Sequence, residues 1–186
     1  LGHDLTLLVP DFDLRPSTFN LRQHYGLQAD FPIEWLASVN RRLFTWQSVR
    51  RARALRADLL YTWLPQSAVF GLLHRIPTVF EIHLQPTGAL GPAWHRAFAA
   101  LRGRKRLASI TQALVDVLDR DYNMRLKADD VVIAPNGVEL ERFAALPATP
   151  ELARQQLTLP SAPTVMCTGH LYAGRGADLF LALAKS

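Results

Sequence analysis

Pro163-Thr164-Val165-Met166-Cys167-Thr168-Gly169-His170-Leu171-Tyr172-Ala173-Gly174-Arg175-Gly176-Ala177-Asp178-Leu179-Phe180-Leu181-Ala182-Leu183-Ala184 reads as an apolar strand, a glycine-rich loop and a helix. That order sets backbone N–H groups and a helix N-terminus against an anion, usually a phosphate. Arg175 adds a permanent planar cation suited to phosphate oxygens. Upstream, apolar runs near 5–9, 58–63, 77–82, 107–111 and 131–134 alternate with helical stretches near 38–56, 66–75, 91–102 and 112–122. The run at 163–168 and a helix at 176–185 continue the pattern. Strands alternating with helices predict parallel βαβ units with buried strands. The fold expected is α/β, a Rossmann-like parallel sheet flanked by helices, followed by the first strand, loop and helix of a second such domain.

The spacing Gly169-x4-Gly174-Arg175-Gly176 superficially matches a P-loop. A P-loop needs Lys after the second glycine and then Ser or Thr to bind magnesium. Arg175 and Gly176 occupy those positions, so the metal ligand is missing and the P-loop reading fails. A tight βα turn with no ligand remains a second reading of the glycines taken alone.

Composition sets further bounds. Hydrophobic residues make up 49% of the 186 and charged residues 20%, which describes an ordinary globular chain. No run approaches the roughly twenty apolar residues that span a bilayer. A single cysteine, Cys167, excludes an internal disulfide and fits a reducing compartment. It reads as core packing, with no base beside it. The net charge is +5, and three of the 21 basic residues are lysines, the rest arginines. Nucleic-acid binding is not expected, because the aromatic interleaving and binding motifs that accompany it are missing.

Val131-Val132-Ile133-Ala134-Pro135-Asn136-Gly137-Val138-Glu139-Leu140-Glu141-Arg142-Phe143 reads as a short buried strand ended by Pro-Asn-Gly turn chemistry. Here the chain resembles the retaining GT-B glycosyltransferases of family four. They typically carry a strand, Pro-Asn-Gly-Val-Asp/Glu and a following Phe at the junction of two Rossmann-like domains, then a short helix, a strand and Gly-Arg-Leu-x3-Lys-Gly. Both blocks occur in this order, and 151–157 suits the short helix. Leu1 to Pro10, Asp58 to Trp63, Pro77 to His83 and Arg106 to Thr111 are similar to further elements of the first domain. The resemblance implies an N-terminal acceptor-side domain over 1–143 with its first strand missing, a connection over 144–161, and the start of a nucleotide-sugar-binding domain over 162–186. It also implies that the sequence is truncated at both ends and inactive alone, since the family's Glu-x7-Glu motif would lie beyond Ser186.

Ligands of parallel α/β sheets sit outside the C-terminal strand ends. That rule selects His83, Thr111, Asn136 and the 169–176 loop. Glu81 lies two residues before His83, so both side chains share one strand face and Glu81 can hold one imidazole nitrogen. By the resemblance, His83 contacts the sugar or acceptor, and Thr111, Asn136 and Gly137 border the interdomain cleft. Gly169, His170, Gly174, Arg175 and Gly176 correspond to the donor-phosphate loop. The family has Arg and Lys five residues apart there. Arg175 keeps the second charge, while His170, with a reference pKa of ~6.5, is protonated only to about a quarter at pH 7.

The implied reaction transfers a sugar from a nucleotide-sugar, such as a UDP-, GDP- or ADP-sugar, to an acceptor hydroxyl on a glycan or lipid-linked glycan. Anomeric configuration is retained. No metal-ligand spacing is visible and no cofactor beyond this co-substrate is expected. A non-catalytic Rossmann-like binding module and a GT-B sugar epimerase are the alternative readings. Two basic stretches suggest peripheral contact with an anionic membrane from the cytoplasmic side. Arg41, Arg42, Arg50, Arg51, Arg53 and Arg56 share a predicted helix, but Arg50 and Arg53 fall among its apolar positions, so its charges are poorly segregated. Arg102-Gly103-Arg104-Lys105-Arg106 is tighter and reads as a loop ahead of a strand.

Overall fold

The computed structural model describes residues 2–12, 20–27, 30–138, 140–166 and 176–183. Its contacts divide the chain into two compact units, Leu1–Asn136 and Gly137–Ser186. The first unit runs β1 (Leu7–Asp11), α1 (Leu21–Tyr25), β2 (Ile33–Ala37), α2 (Arg41–Ala54), β3 (Leu60–Thr62), α3 (Pro65–Leu73) and β4 (Thr78–Ile82). It continues with α4 (Gly91–Ala100), β5 (Lys105–Ser109), α5 (Gln112–Tyr122), a 3-10 turn at Ala128–Asp130, and β6 (Val131–Ile133). β1 pairs with β2, and β3, β4, β5 and β6 form a second sheet in that order. Every pairing is parallel. The chain is therefore an α/β protein with parallel sheets flanked by helices.

Local chemistry sets the helix starts. Asn40 and Thr111 cap α2 and α5, their side-chain oxygens accepting from the Leu43 and Leu114 amides at 2.9 and 3.2 Å. Proline lies in the first turn of both α3 and α4, where a missing N–H costs nothing. Asn123 ends α5 in the left-handed region. On β4, Thr78, Phe80 and Ile82 are buried while Val79 and Glu81 are half-exposed. Phe80 and Ile82 join Ala68, Val69 and Leu72 of α3, Phe98 of α4 and Leu107 of β5 in the main core. Gly71 lets α3 approach that sheet, because a Cβ there would lie 2.7 Å from both Leu60 Cδ2 and Thr78 Oγ1.

β2 was not among the strands expected from apolar runs. Glu34 interrupts its pattern, and the fold accommodates that carboxylate with a two-pronged pair from Arg51 of α2. Arg51 Nε and Nη2 donate to Glu34 at 2.6 and 2.7 Å. This pair holds the Glu34 carboxyl below its ordinary range, chiefly through the hydrogen bond. β6 also departs from expectation. It is a sheet edge with Val132 and Ile133 46% and 40% exposed, not a buried strand.

The basic stretches change most. α2 buries Phe44, Thr45, Ser48, Val49 and Ala52 and leaves Trp46, Arg50 and Arg53 exposed, so the arginines expected among its apolar positions face outward. The buried hydroxyls explain this, because each is satisfied locally. Thr45 Oγ1 donates to the Arg41 carbonyl and Ser48 Oγ to the Thr45 carbonyl, both at 2.9 Å. In the second stretch, Lys105 and Arg106 belong to β5 itself. Lys105 is 8% exposed and its ammonium caps the end of α4. It donates to the carbonyls of Phe98 at 3.0 Å, Leu101 at 2.7 Å and Ala99. Burial pulls its pKa below the ordinary lysine value, against an opposing pull from Asp130. Arg106 pairs with Asp130 at 3.5 Å, which leaves Arg102 and Arg104 as the unpaired charges of that patch among the described residues. Lys105→Met is expected to lower stability by about 2–3 kcal/mol in urea unfolding, since three carbonyls lose their donor while the stem still packs.

The second unit contains α6 (Leu140–Ala144), α7 (Pro150–Gln156) and α8 (Ala177–Leu183). Thr149 caps α7, which falls where the short helix was expected. Residues 163–166 form no strand, and Cys167 and Thr168 lie outside the described residues.

Candidate functional site

A cavity of about 920 Å³ opens where β3 and β4 end. Trp63 to Gln66 after β3 and His83 to Gly91 after β4 line it, with the first turn of α2 and part of α4. It therefore lies outside the C-terminal strand ends, where α/β folds bind ligands. Its lining is predominantly apolar, with a few polar side chains, as is usual for a small-molecule site.

Glu81 and His83 form a polar pair in the cavity lining, and the β3–β4 register sets what lies beside them. Tyr61 lies opposite Val79, so Tyr61 and Glu81 project from the same sheet face, and His83 follows two residues later. His83 Nε2 lies 3.0 Å from Glu81 Oε1. A carboxylate accepts only, so Nε2–H donates, and in the neutral ring Nδ1 keeps its lone pair. Nδ1 has no protein partner among the described residues. Burial raises the Tyr61 pKa first, and the nearby Glu81 carboxylate adds to that rise. Tyr61 was not singled out from the sequence. The signal lay in the pairing register, which composition along one strand does not reveal.

His95 forms part of the cavity wall and is 6% exposed. Its Nδ1–H donates to the Gly91 carbonyl at 2.8 Å, and its ring lies 5.1 Å from that of Phe80. Burial holds its pKa below the ordinary 6.5, with the Gly91 bond opposing. The folded protein thus keeps a neutral imidazole where the unfolded chain takes a proton, so this contribution is complete above pH 6.5 and declines as pH falls through the folded pKa. The wild-type melting temperature should drop more than that of His95→Gln between pH 7.5 and 5.5. Parallel profiles would rule the buried imidazole out as the source.

The other sequence-selected residues are placed as follows. Thr111 spends its hydroxyl on capping α5, and its carbonyl accepts from Ser109 Oγ at 2.9 Å. Asn136 and Gly137 are exposed in coil, at the point where the two units divide. Gly176 precedes α8 with φ +76°, a conformation that favours glycine. Gly169, His170, Gly174 and Arg175 lie outside the described residues. Sequence reading placed Arg41 in a basic stretch suggestive of membrane contact and singled out none of Trp46, Trp63 and Trp94, because the four come together only through helix packing. Among the described residues, no three His, Cys, Asp or Glu side chains gather to hold a metal ion. None of the described helices is long and apolar enough to cross a membrane.

A family model described as Glycosyltransferase Family 4 matches residues 1–142. The chain belongs to that family. This family 4 chain is similar in fold to crystal structures of Anabaena Alr3699/HepE in complex with UDP-glucose and with UDP and glucose. Each has 18% identity and a TM-score of 0.50, covering 81% of this chain and 42% of that chain. A third structure of the same protein, in complex with UDP, gives 20% identity and a TM-score of 0.49, covering 74% of this chain and 38% of that one. The chain thus spans less than half the length of these structures. No curated protein matches its sequence.

Proposed function

We propose that this chain is part of a retaining glycosyltransferase, which moves a sugar from a nucleotide-sugar to a hydroxyl of a glycan or lipid-linked glycan. The observation that carries the reading is a family 4 unit with a carboxylate-held imidazole in the cavity at its C-terminal strand ends. In the transfer, the anomeric carbon exchanges its bond to a diphosphate oxygen for one to the acceptor oxygen, the acceptor proton passes to the departing diphosphate, and the configuration is unchanged. His83 contacts the sugar or acceptor: Glu81 fixes its tautomer, and Nδ1 accepts from a substrate hydroxyl. The donor phosphates are assigned to the 169–176 loop, where backbone amides and Arg175 suit an anion. No metal or organic cofactor is needed beyond the nucleotide-sugar. The enzyme works in the cytoplasm, and exposed Arg102 and Arg104 favour an anionic membrane surface.

The test uses the complete natural polypeptide that contains this chain. It is incubated with radiolabelled UDP-, GDP- and ADP-sugars, and the anomeric configuration of the product is read by NMR. One donor should be consumed with configuration kept. A polypeptide that transfers nothing, and gives no calorimetric heat with any of these donors, would sink the reading.

A further inference from the structure

The cavity at the ends of β3 and β4 combines two demands that one class of ligand meets. Arg41 and Arg42 line it from the first turn of α2, a turn that contains no acidic residue. Positive charge is unfavourable at a helix N-terminus. Neither guanidinium has a carboxylate partner among the described residues; Arg41 lies only over the Trp63 ring, 5.8 Å from its centroid. Beside these cations the lining includes large apolar side chains that remain open to solvent. Trp46, Trp63, Leu84 and Leu90 are 51%, 63%, 75% and 60% exposed. Clustered exposed apolar side chains around a concavity mark a binding surface, and here they are continuous with two unpaired cations.

We infer that this cavity binds an anionic amphiphile, a phosphate ester of an alkyl or isoprenoid chain. The phosphate lies against Arg41 and Arg42, and the chain covers Trp46, Trp63, Leu84 and Leu90. Guanidinium forks suit phosphate oxygens, and burial of the chain supplies the apolar term. A free glycan has no charge for the arginines and little apolar surface for the rim. The ligand's role as the lipid that carries the acceptor rests on the transferase reading above, whereas its binding rests on the cavity alone.

Decyl phosphate, kept below its micelle concentration, is the probe. It is titrated into the complete natural polypeptide that contains this chain, with tryptophan fluorescence as the readout. Decanol and inorganic phosphate serve as the two halves of the ligand. Saturable binding is expected for decyl phosphate, at least tenfold tighter than for either half. Both arginines are exposed, so the Arg41→Gln/Arg42→Gln variant keeps its fold by circular dichroism, binds decyl phosphate at least tenfold more weakly and binds decanol unchanged. Equal affinity for decanol and decyl phosphate, or an unchanged affinity in the double variant, overturns the assignment. Inorganic phosphate binding as tightly as decyl phosphate also overturns it. Adding vesicles of neutral or phosphatidate-containing lipid separates the sources. Competition only by phosphatidate vesicles places the ligand in the bilayer, while bound probe unaffected by either places it free in solution; both support the cavity. Binding without sugar transfer by the complete polypeptide supports the cavity and counts against the transferase reading alone.

Discussion

Phe80→Ala is expected to lower the unfolding free energy by about 3–5 kcal/mol, the range for emptying a large aromatic from a packed core. Phe80 is 1% exposed, at the centre of β4. Its ring packs edge-on against Phe98 at 5.2 Å and is tilted toward His95 at 5.1 Å. Such pairs contribute beyond their buried area. Parallel strands on either side leave little freedom for the backbone to collapse into the space. Phe80 is also part of the cavity lining, so its loss joins a void in the core to the site. Urea unfolding should therefore show the drop in stability together with a weaker grip on any cavity ligand. Phe80→Leu, which retains most of the volume, should recover more than half of the stability. A loss below about 1 kcal/mol for the alanine variant would mean that the core closes over the gap.

His83→Ala in the complete natural polypeptide should lower kcat/KM for sugar transfer about 10²–10³-fold, the usual scale for a positioned polar group that acts in the transition state. The side chain is 45% exposed and tied to the sheet only through Glu81, so stability should change little. Donor affinity, measured by calorimetry, should stay within about threefold, because the donor phosphates are assigned to a different loop. Transfer unaffected by the substitution would remove His83 from the site while leaving the family assignment untouched.

The alternation of apolar runs and helical stretches made β3 to β6 and their helices legible, because strands covered by helices need nearly continuous apolar character. The Glu81–His83 pair was legible for a similar reason, since a period of two settles which side chains share a face. β2 was not, because Glu34 breaks its pattern and its partner Arg51 lies 17 residues away on another element. The Arg102 to Arg106 stretch read as one basic patch, yet the strand that begins at Lys105 turns that ammonium inward to the end of α4. Charge counted along a sequence carries no direction, and the backbone supplies it.

By itself, then, the sequence determined the α/β class, the resemblance to family 4 and the residues at the strand ends. All three depend on local periodicity and short motifs. Only the tertiary structure decided that Tyr61 shares a sheet face with Glu81, that Lys105 is a buried cap, and that the first turn of α2 meets the ends of β3 and β4 around one cavity. The first and last arise from strand register and helix packing, which bring together side chains far apart in the chain. Lys105 is close in sequence to the carbonyls it caps, and there the strand decides only the direction in which its side chain points.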